Sequence, residues 1–232
     1  MLTGIIGAMG VEIEQLKKAL CGASKTEYGN AVFYEGLLFG QRVVLAQAGI
    51  GKVHAAMCAQ ALILRYHPDL LINLGVAGAL DERLDIGDIA VAQGLVQHDV
   101  DTSPIGDPVG MVSGPDLVYF PADQGAAQGL EKSAEALGIF HLTGVLATGD
   151  QFIASPDKKE WLHNEFHALT CDMEGAAIAQ VAYEYAIPFA AYRAISDTLK
   201  GNGLEYSVNR DAAAAKSELL IRHFLEGLNH GI

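Results

Sequence analysis

Six short aliphatic runs, each bounded by Gly or Asp, punctuate the chain: LTGIIGA, QRVVLAQAG, DLLINLGVAG, GDIAVAQGLVQ, HLTGVLATGD and IPFAAYRAISD. Apolar runs of this length between turn formers read as strands buried on both faces. Between several of them lie segments with helical spacing. Ile13, Leu16 and Leu20 share one face of residues 12–20, and residues 53–66 are Ala-rich with Leu62 and Leu64. Residues 175–185 are Ala-rich as well, and residues 212–228 carry Leu219, Leu220 and Phe224. Strands alternating with helices predict a largely parallel sheet covered on both faces. Residues 103–123, SPIGDPVGMVSGPDLVYFPAD, hold Gly, Pro and Asp turn signals, and a loop of this length is functional or sits at an interface. No repeat, low-complexity tract or linker divides the chain, so residues 1–232 are expected to form one α/β domain.

Composition narrows the class. Half of the residues are hydrophobic, enough for a large core, and there is no uninterrupted apolar run of about 18 residues to span a membrane. The opening stretch MLTGIIGAMGVEIEQL lacks a basic start, and Glu12 interrupts its apolar part, which makes a poor signal peptide. Cys21, Cys58 and Cys171 are odd in number and far apart, as expected of free thiols in a reducing cytoplasm. A net charge of −13 argues against nucleic acid as a partner, because phosphate contacts need clustered Lys and Arg.

Familiar cofactor motifs fail on spacing. GIIGAMG has glycines at 4, 7 and 10, whereas a dinucleotide site needs GxGxxG. AQAGIGKV shares only Gly51-Lys52 with a phosphate-binding loop, and Val53 stands where a hydroxyl is required. HNEFH places His163 and His167 one turn apart without a third ligand nearby, and reads as an exposed helix or turn. No metal or cofactor is therefore expected.

The carboxylates carry more information. LTCDMEGAAIAQVA holds Asp172 and Glu174 in a stretch with no Lys or Arg from residue 171 to 192. Burying an ionised carboxylate without a partner is costly. Glu12 follows the first predicted strand and Asp197 ends the last, with Arg193 the one cation in that strand. Acids in a helix's first turn can be there merely for the helix dipole. Several acids at the carboxyl ends of strands, where ligands of open α/β sheets bind, point instead to glycosidic-bond cleavage. One acid protonates the leaving group, another activates water, and both stabilise a positively charged, oxocarbenium-like sugar.

The stretches GIIGAMGVEIEQL, AGIGKVHAA, INLGVAGAL, IGDIAVA, ATGDQFI, CDMEGAAIAQVA and YRAISD, in this order, resemble the motifs of the purine nucleoside phosphorylase/uridine phosphorylase family. The likeness runs from about residue 2 to past residue 200 and is nearest to the family's bacterial nucleosidases for 5′-methylthioadenosine and S-adenosylhomocysteine. It implies a three-layer αβα sandwich with a mixed central sheet, nucleoside phosphorylase-like, and a homodimer in which the partner completes each pocket. It implies an adenine nucleoside substrate and no cofactor. It also assigns roles. Glu12 would activate water, with Arg193 and Asp172 beside it, and Asp197 would protonate the purine at N7. Glu174 would bind the ribose hydroxyls with Met173 packed on the ring. Phe152 would stack on adenine, the backbone around Ile153 would read its edge, and Met9 and Ile50 would line the sugar and its 5′ substituent.

Hydrolysis and phosphorolysis both occur in this family. Phosphorolysis needs donors for a phosphate dianion. Here Glu12 and Glu14 follow the first glycine turn, with no Lys or Arg before Lys17, and Val76 stands where many relatives have Ser or Thr. Water is thus the expected nucleophile. Nucleosidases for aminofutalosine or 5′-deoxyadenosine, and a true phosphorylase, are the alternatives. In the lid expected from the partner, around Thr102, Ile105 and Asp107, only Ile105 is apolar, so the 5′ preference stays open; a further lid contact is expected near Tyr206.

Overall fold

In a computed structural model the protein is described at residues 1–29, 31–201 and 203–228. The chain runs β1 (Leu2–Gly7), α1 (Gly10–Ala19), β2 (Cys21–Tyr28), β3 (Ala31–Leu38), β4 (Gln41–Gln47), α2 (Lys52–Tyr66), β5 (Leu70–Asn73), β6 (Val76–Ala79) and β7 (Ile89–Gln97). It continues with β8 (Phe120–Pro121), α3 (Gln124–Ala136), β9 (His141–Thr148), α4 (Pro156–Phe166), β10 (Ala168–Asp172), α5 (Gly175–Glu184), β11 (Phe189–Asp197) and α6 (Gly203–Leu228). Between β7 and β8 the long loop has a 3-10 turn at Ser103–Ile105 and an isolated antiparallel bridge between Val112 and Leu117.

The strands form one mixed sheet in the order β2-β3-β4-β1-β5-β11-β6-β10-β9-β7-β8. β11 also pairs antiparallel with β7, so β11, β6, β10, β9 and β7 close into a five-stranded ring at one end of the sheet. The pattern of period two decides the layers, because successive strand residues face opposite sides. Ile6, Val44 and Leu71 pack beneath α2 and α5, while their neighbours Ile5, Leu45 and Ile72 pack against α1, α3 and α6. A third, smaller cluster of Leu80, Val96, Ala147, Leu162 and Phe166 seats α4 on the ring. This is the αβα sandwich with a mixed sheet. Parallel pairing alone, which alternation suggested, covers only part of it: β2–β3, β3–β4, β6–β10, β7–β8 and β7–β11 are antiparallel.

The run DLLINLGVAG divides into β5 and β6, with Leu74 and Gly75 turning the chain between them. No described helix is long and apolar enough to cross a membrane. Cys21 is exposed, Cys58 and Cys171 are buried, and all three are free.

Candidate functional site

The carboxyl ends of β1, β10 and β11 and the first residues of β6 surround a cavity of about 290 Å³. Glu12, in the first turn of α1, reaches into it from below. Its Oε2 accepts hydrogen bonds from Ala8 N and Met9 N at 2.8 Å each, and its Oε1 accepts one from Val76 N at 3.0 Å. Burial pushes the Glu12 carboxyl up from its ordinary value, with the N–H groups of Met9 and Val76 opposing. A base of this kind accepts a proton from water more readily than a solvated carboxylate. The side chain at position 76 is apolar, yet the position still contributes a polar contact through its backbone. Two glycines of the β6 region make room for two acids: a Cβ on Gly75 would lie 2.5 Å from Glu12 Oε1, and one on Gly78 would lie 2.8 Å from Asp197 Oδ2.

Glu174 precedes α5 and faces the same cavity. Its Oε1 accepts from Gly51 N at 2.8 Å across the AGIGK turn. Burial, then the charge of Asp172, pushes its carboxyl up to about 7. Asp172 is the best satisfied of the acids. Its Oδ1 accepts from Thr148 Oγ1 at 2.7 Å and from Glu174 N and Gly175 N at 2.9 Å each, and its Oδ2 meets Arg193 Nε at 3.0 Å. Asp172 therefore braces the loop that carries Met173 and Glu174.

Arg193 lies beside the site and not in it. It is buried behind Asp172, donates to the carbonyls of Tyr192 (2.8 Å) and Asn73 (3.3 Å) and bonds the Asn73 side chain. Its ion pair with Asp172, at 3.0 Å, connects it to the acids. It does not line the cavity.

The remaining wall is aromatic and apolar. Met9, Ile50, Val76, Phe152, Ile153 and Met173 all line the cavity. Phe152 is 52% exposed, unusual for an aromatic with a purely packing role, and Tyr206 of α6 stands edge-on to it with ring centroids 5.3 Å apart. Tyr206 Oη also lies 3.6 Å from Met9 Sδ. Thr102 and Ile105 do not reach this chain's cavity. Thr102 Oγ1 donates to Asp107 at 2.7 Å, and Ile105 is 82% exposed.

One partner of the site was not anticipated. Asp197, which ends β11 without a cation immediately after it, pairs with Lys159 Nζ at 2.7 Å. Lys159 lies on α4, a helix the apolar spacing did not announce. Its start was nonetheless marked by Ser155-Pro156, a capping residue followed by proline.

A family model described as the Phosphorylase superfamily matches residues 3–226. The 5′-methylthioadenosine/S-adenosylhomocysteine nucleosidase of Psychromonas ingrahamii is 37% identical over 234 residues, covering 99% of this chain and 100% of that protein. The crystal structure of the 5′-methylthioadenosine/S-adenosylhomocysteine nucleosidase from Neisseria meningitidis in complex with methylthio-immucillin-A matches with a TM-score of 0.93 at 30% identity, over 97% of this chain and 99% of that one. Native futalosine hydrolase of Helicobacter pylori strain 26695 matches with a TM-score of 0.93 at 30% identity, over 98% of each chain.

Proposed function

The chain belongs to the phosphorylase superfamily, and from that membership we propose that it hydrolyses the N-glycosidic bond of 5′-methylthioadenosine and S-adenosylhomocysteine. The products are adenine and the 5-thioribose sugar. One observation carries the choice of water over phosphate. Among the described residues the cavity is lined by Glu12, Asp172, Glu174 and Asp197 and by no Lys or Arg. A phosphate dianion there would meet like charge on every side, whereas an oxocarbenium-like sugar is stabilised by it.

The roles follow from placement. Adenine stacks on Phe152 beside Tyr206, with the backbone around Ile153 at its edge. Asp197 gives a proton to N7, so the base leaves neutral. Glu174 accepts hydrogen bonds from the ribose hydroxyls, and Met9, Ile50 and Met173 enclose the sugar and the thioether. Glu12 takes a proton from the water that attacks C1′, and Asp172 with Arg193 keeps the β10–α5 loop in register. No step calls for a cofactor.

We read residues 1–232 as one nucleosidase domain working as a cytoplasmic homodimer. The apolar surface supports the dimer: Val53 is 68% and Met57 53% exposed on α2, around a groove shared with Gln97, Gln180 and Tyr185. The described cysteines are all free, as in a reducing compartment.

The test is adenine release in phosphate-free buffer from 5′-methylthioadenosine, S-adenosylhomocysteine, adenosine, inosine and aminofutalosine. Release from both thioether nucleosides is expected, and a requirement for added phosphate overturns hydrolysis. Asp197→Asn keeps the shape but cannot deliver the proton, so its rate should fall roughly 10²–10⁴-fold with binding retained. Unchanged turnover removes Asp197 from the mechanism.

A further inference from the structure

Lys159 is wholly buried, at 0% exposure. Its Nζ lies 2.7 Å from Asp197 Oδ2, 2.7 Å from the Thr198 carbonyl and 3.4 Å from the Gly201 carbonyl. An ammonium has three N–H donors, and these three oxygens use them all. Lysine is almost never buried this completely unless it is paired. Asp197 lines the cavity and Lys159 does not, so the order from the ligand inwards is cavity, carboxyl, ammonium. The other ionisable groups around the pair do not take Lys159's place. Lys158 turns away, its ammonium 3.7 Å over the Trp161 ring. Cys171 approaches from β10, but burial pushes its thiol up to about 12, so it stays neutral. Glu205, from α6, is occupied by Thr198 N and Oγ1. Glu12 and Glu174 face the cavity from other walls and bond to backbone N–H groups.

We propose that Lys159 is a positioning residue for acid catalysis. By holding Oδ2 it assigns the proton bound for the purine to Oδ1, the oxygen that the Ser196 hydroxyl meets at 3.1 Å, and its ammonium faces the carboxylate that remains after delivery. The inference rests on the reading of Asp197 as the proton donor. The step balances: the Asp197 O–H bond breaks, N7–H forms, and the electron pair of the C1′–N9 bond goes to the departing purine. Water adds to C1′ and gives its proton to Glu12. Asp197 is left anionic beside Lys159, as an ion pair; without the lysine, the same transfer would leave a buried carboxylate facing only the Ser196 hydroxyl, with no opposite charge, which is costly. Lys159 also tethers residues 198–201, so its charge must be tested apart from its hydrogen bonds.

The discriminating substrate is a p-nitrophenyl riboside carrying a 5-methylthio group, because nitrophenolate leaves without being protonated. In Lys159→Gln, kcat on 5′-methylthioadenosine should fall roughly 10–10²-fold, with KM and the nitrophenyl rate within about threefold of the parent. Lys159→Arg keeps the charge and should restore most of the lost rate. Equal losses on both substrates overturn the proposal in favour of a tether alone, and an unchanged rate on the nucleoside overturns it outright. Should Lys159→Gln not fold, the pair Lys159→Gln/Asp197→Asn leaves no buried charge unmatched. On the nucleoside it should lose no more than about threefold beyond Asp197→Asn, and a larger extra loss overturns the proposal. Failure of the underlying reading looks different: Asp197→Asn would then itself leave nucleoside turnover intact.

Discussion

At the scale of the residue, Glu174 illustrates what a ligand-gripping acid does to the empty protein. Its carboxyl is pushed up to about 7 by burial and by Asp172, against an ordinary value of 4.5. The folded chain therefore holds this proton to higher pH than the unfolded chain does. The resulting stabilisation is full below about pH 4.5 and is lost as pH rises through about 7. Thermal unfolding of the ligand-free protein should accordingly show a fall in Tm between pH 5 and 8, and Glu174→Gln should flatten that fall. An unaltered slope in the variant would mean that other groups carry the pH dependence. The acids themselves were legible in the sequence, since charged residues among apolar ones have few reasons to be there. Lys159 was not, because it sits in a polar stretch, SPDKKEWLH, where a buried lysine looks the same as an exposed one.

At the scale of the element, the first turns of α6 bring Tyr206 to the cavity. They carry no apolar period: GLEYSVNRD begins nine residues ahead of the Ala-rich stretch that marked the helix in sequence. What holds them is Glu205, whose Oε2 accepts from Thr198 N at 2.7 Å and from Thr198 Oγ1 at 3.0 Å. Glu205→Ala should free that end of the helix and raise KM about tenfold, the equivalent of roughly 1.4 kcal/mol, with kcat changed little. Equal KM in parent and variant would detach Tyr206 from binding. Other elements escaped the sequence reading for related reasons. β2 is an exposed edge strand, CGASKTEY, whose residues have no buried face to announce. α3 is built on Ala, Gly and Ser, so little besides Leu130 marks its inner stripe; its start is held by Asp123, which accepts from Ala126 N at 2.8 Å. The central strands were readable because they are buried on both faces and must be apolar throughout.

At the scale of the whole molecule, the exposed apolar surface of α2 predicts association. Met57→Glu places a charge on that surface and should convert the proposed homodimer into a monomer, measured by sedimentation velocity. If the partner supplies part of the site, activity should fall with the dimer fraction. A parent protein that is already monomeric at working concentration would refute the assembly.

β11 has a further consequence, for how this protein is made. It is the last strand in the chain, yet it lies inside the sheet and pairs with β5, β6 and β7. During synthesis, those strands leave the ribosome with open hydrogen-bonding edges and wait for about a hundred residues before their neighbour emerges. A nascent chain stalled before β11 thus offers the bare edges from which β-aggregation starts. Asp197 emerges with the end of β11, and Tyr206 after it. The ribosome-bound chain has no site to fill until β11 and the start of α6 have emerged, and no bound nucleoside can help it fold before then.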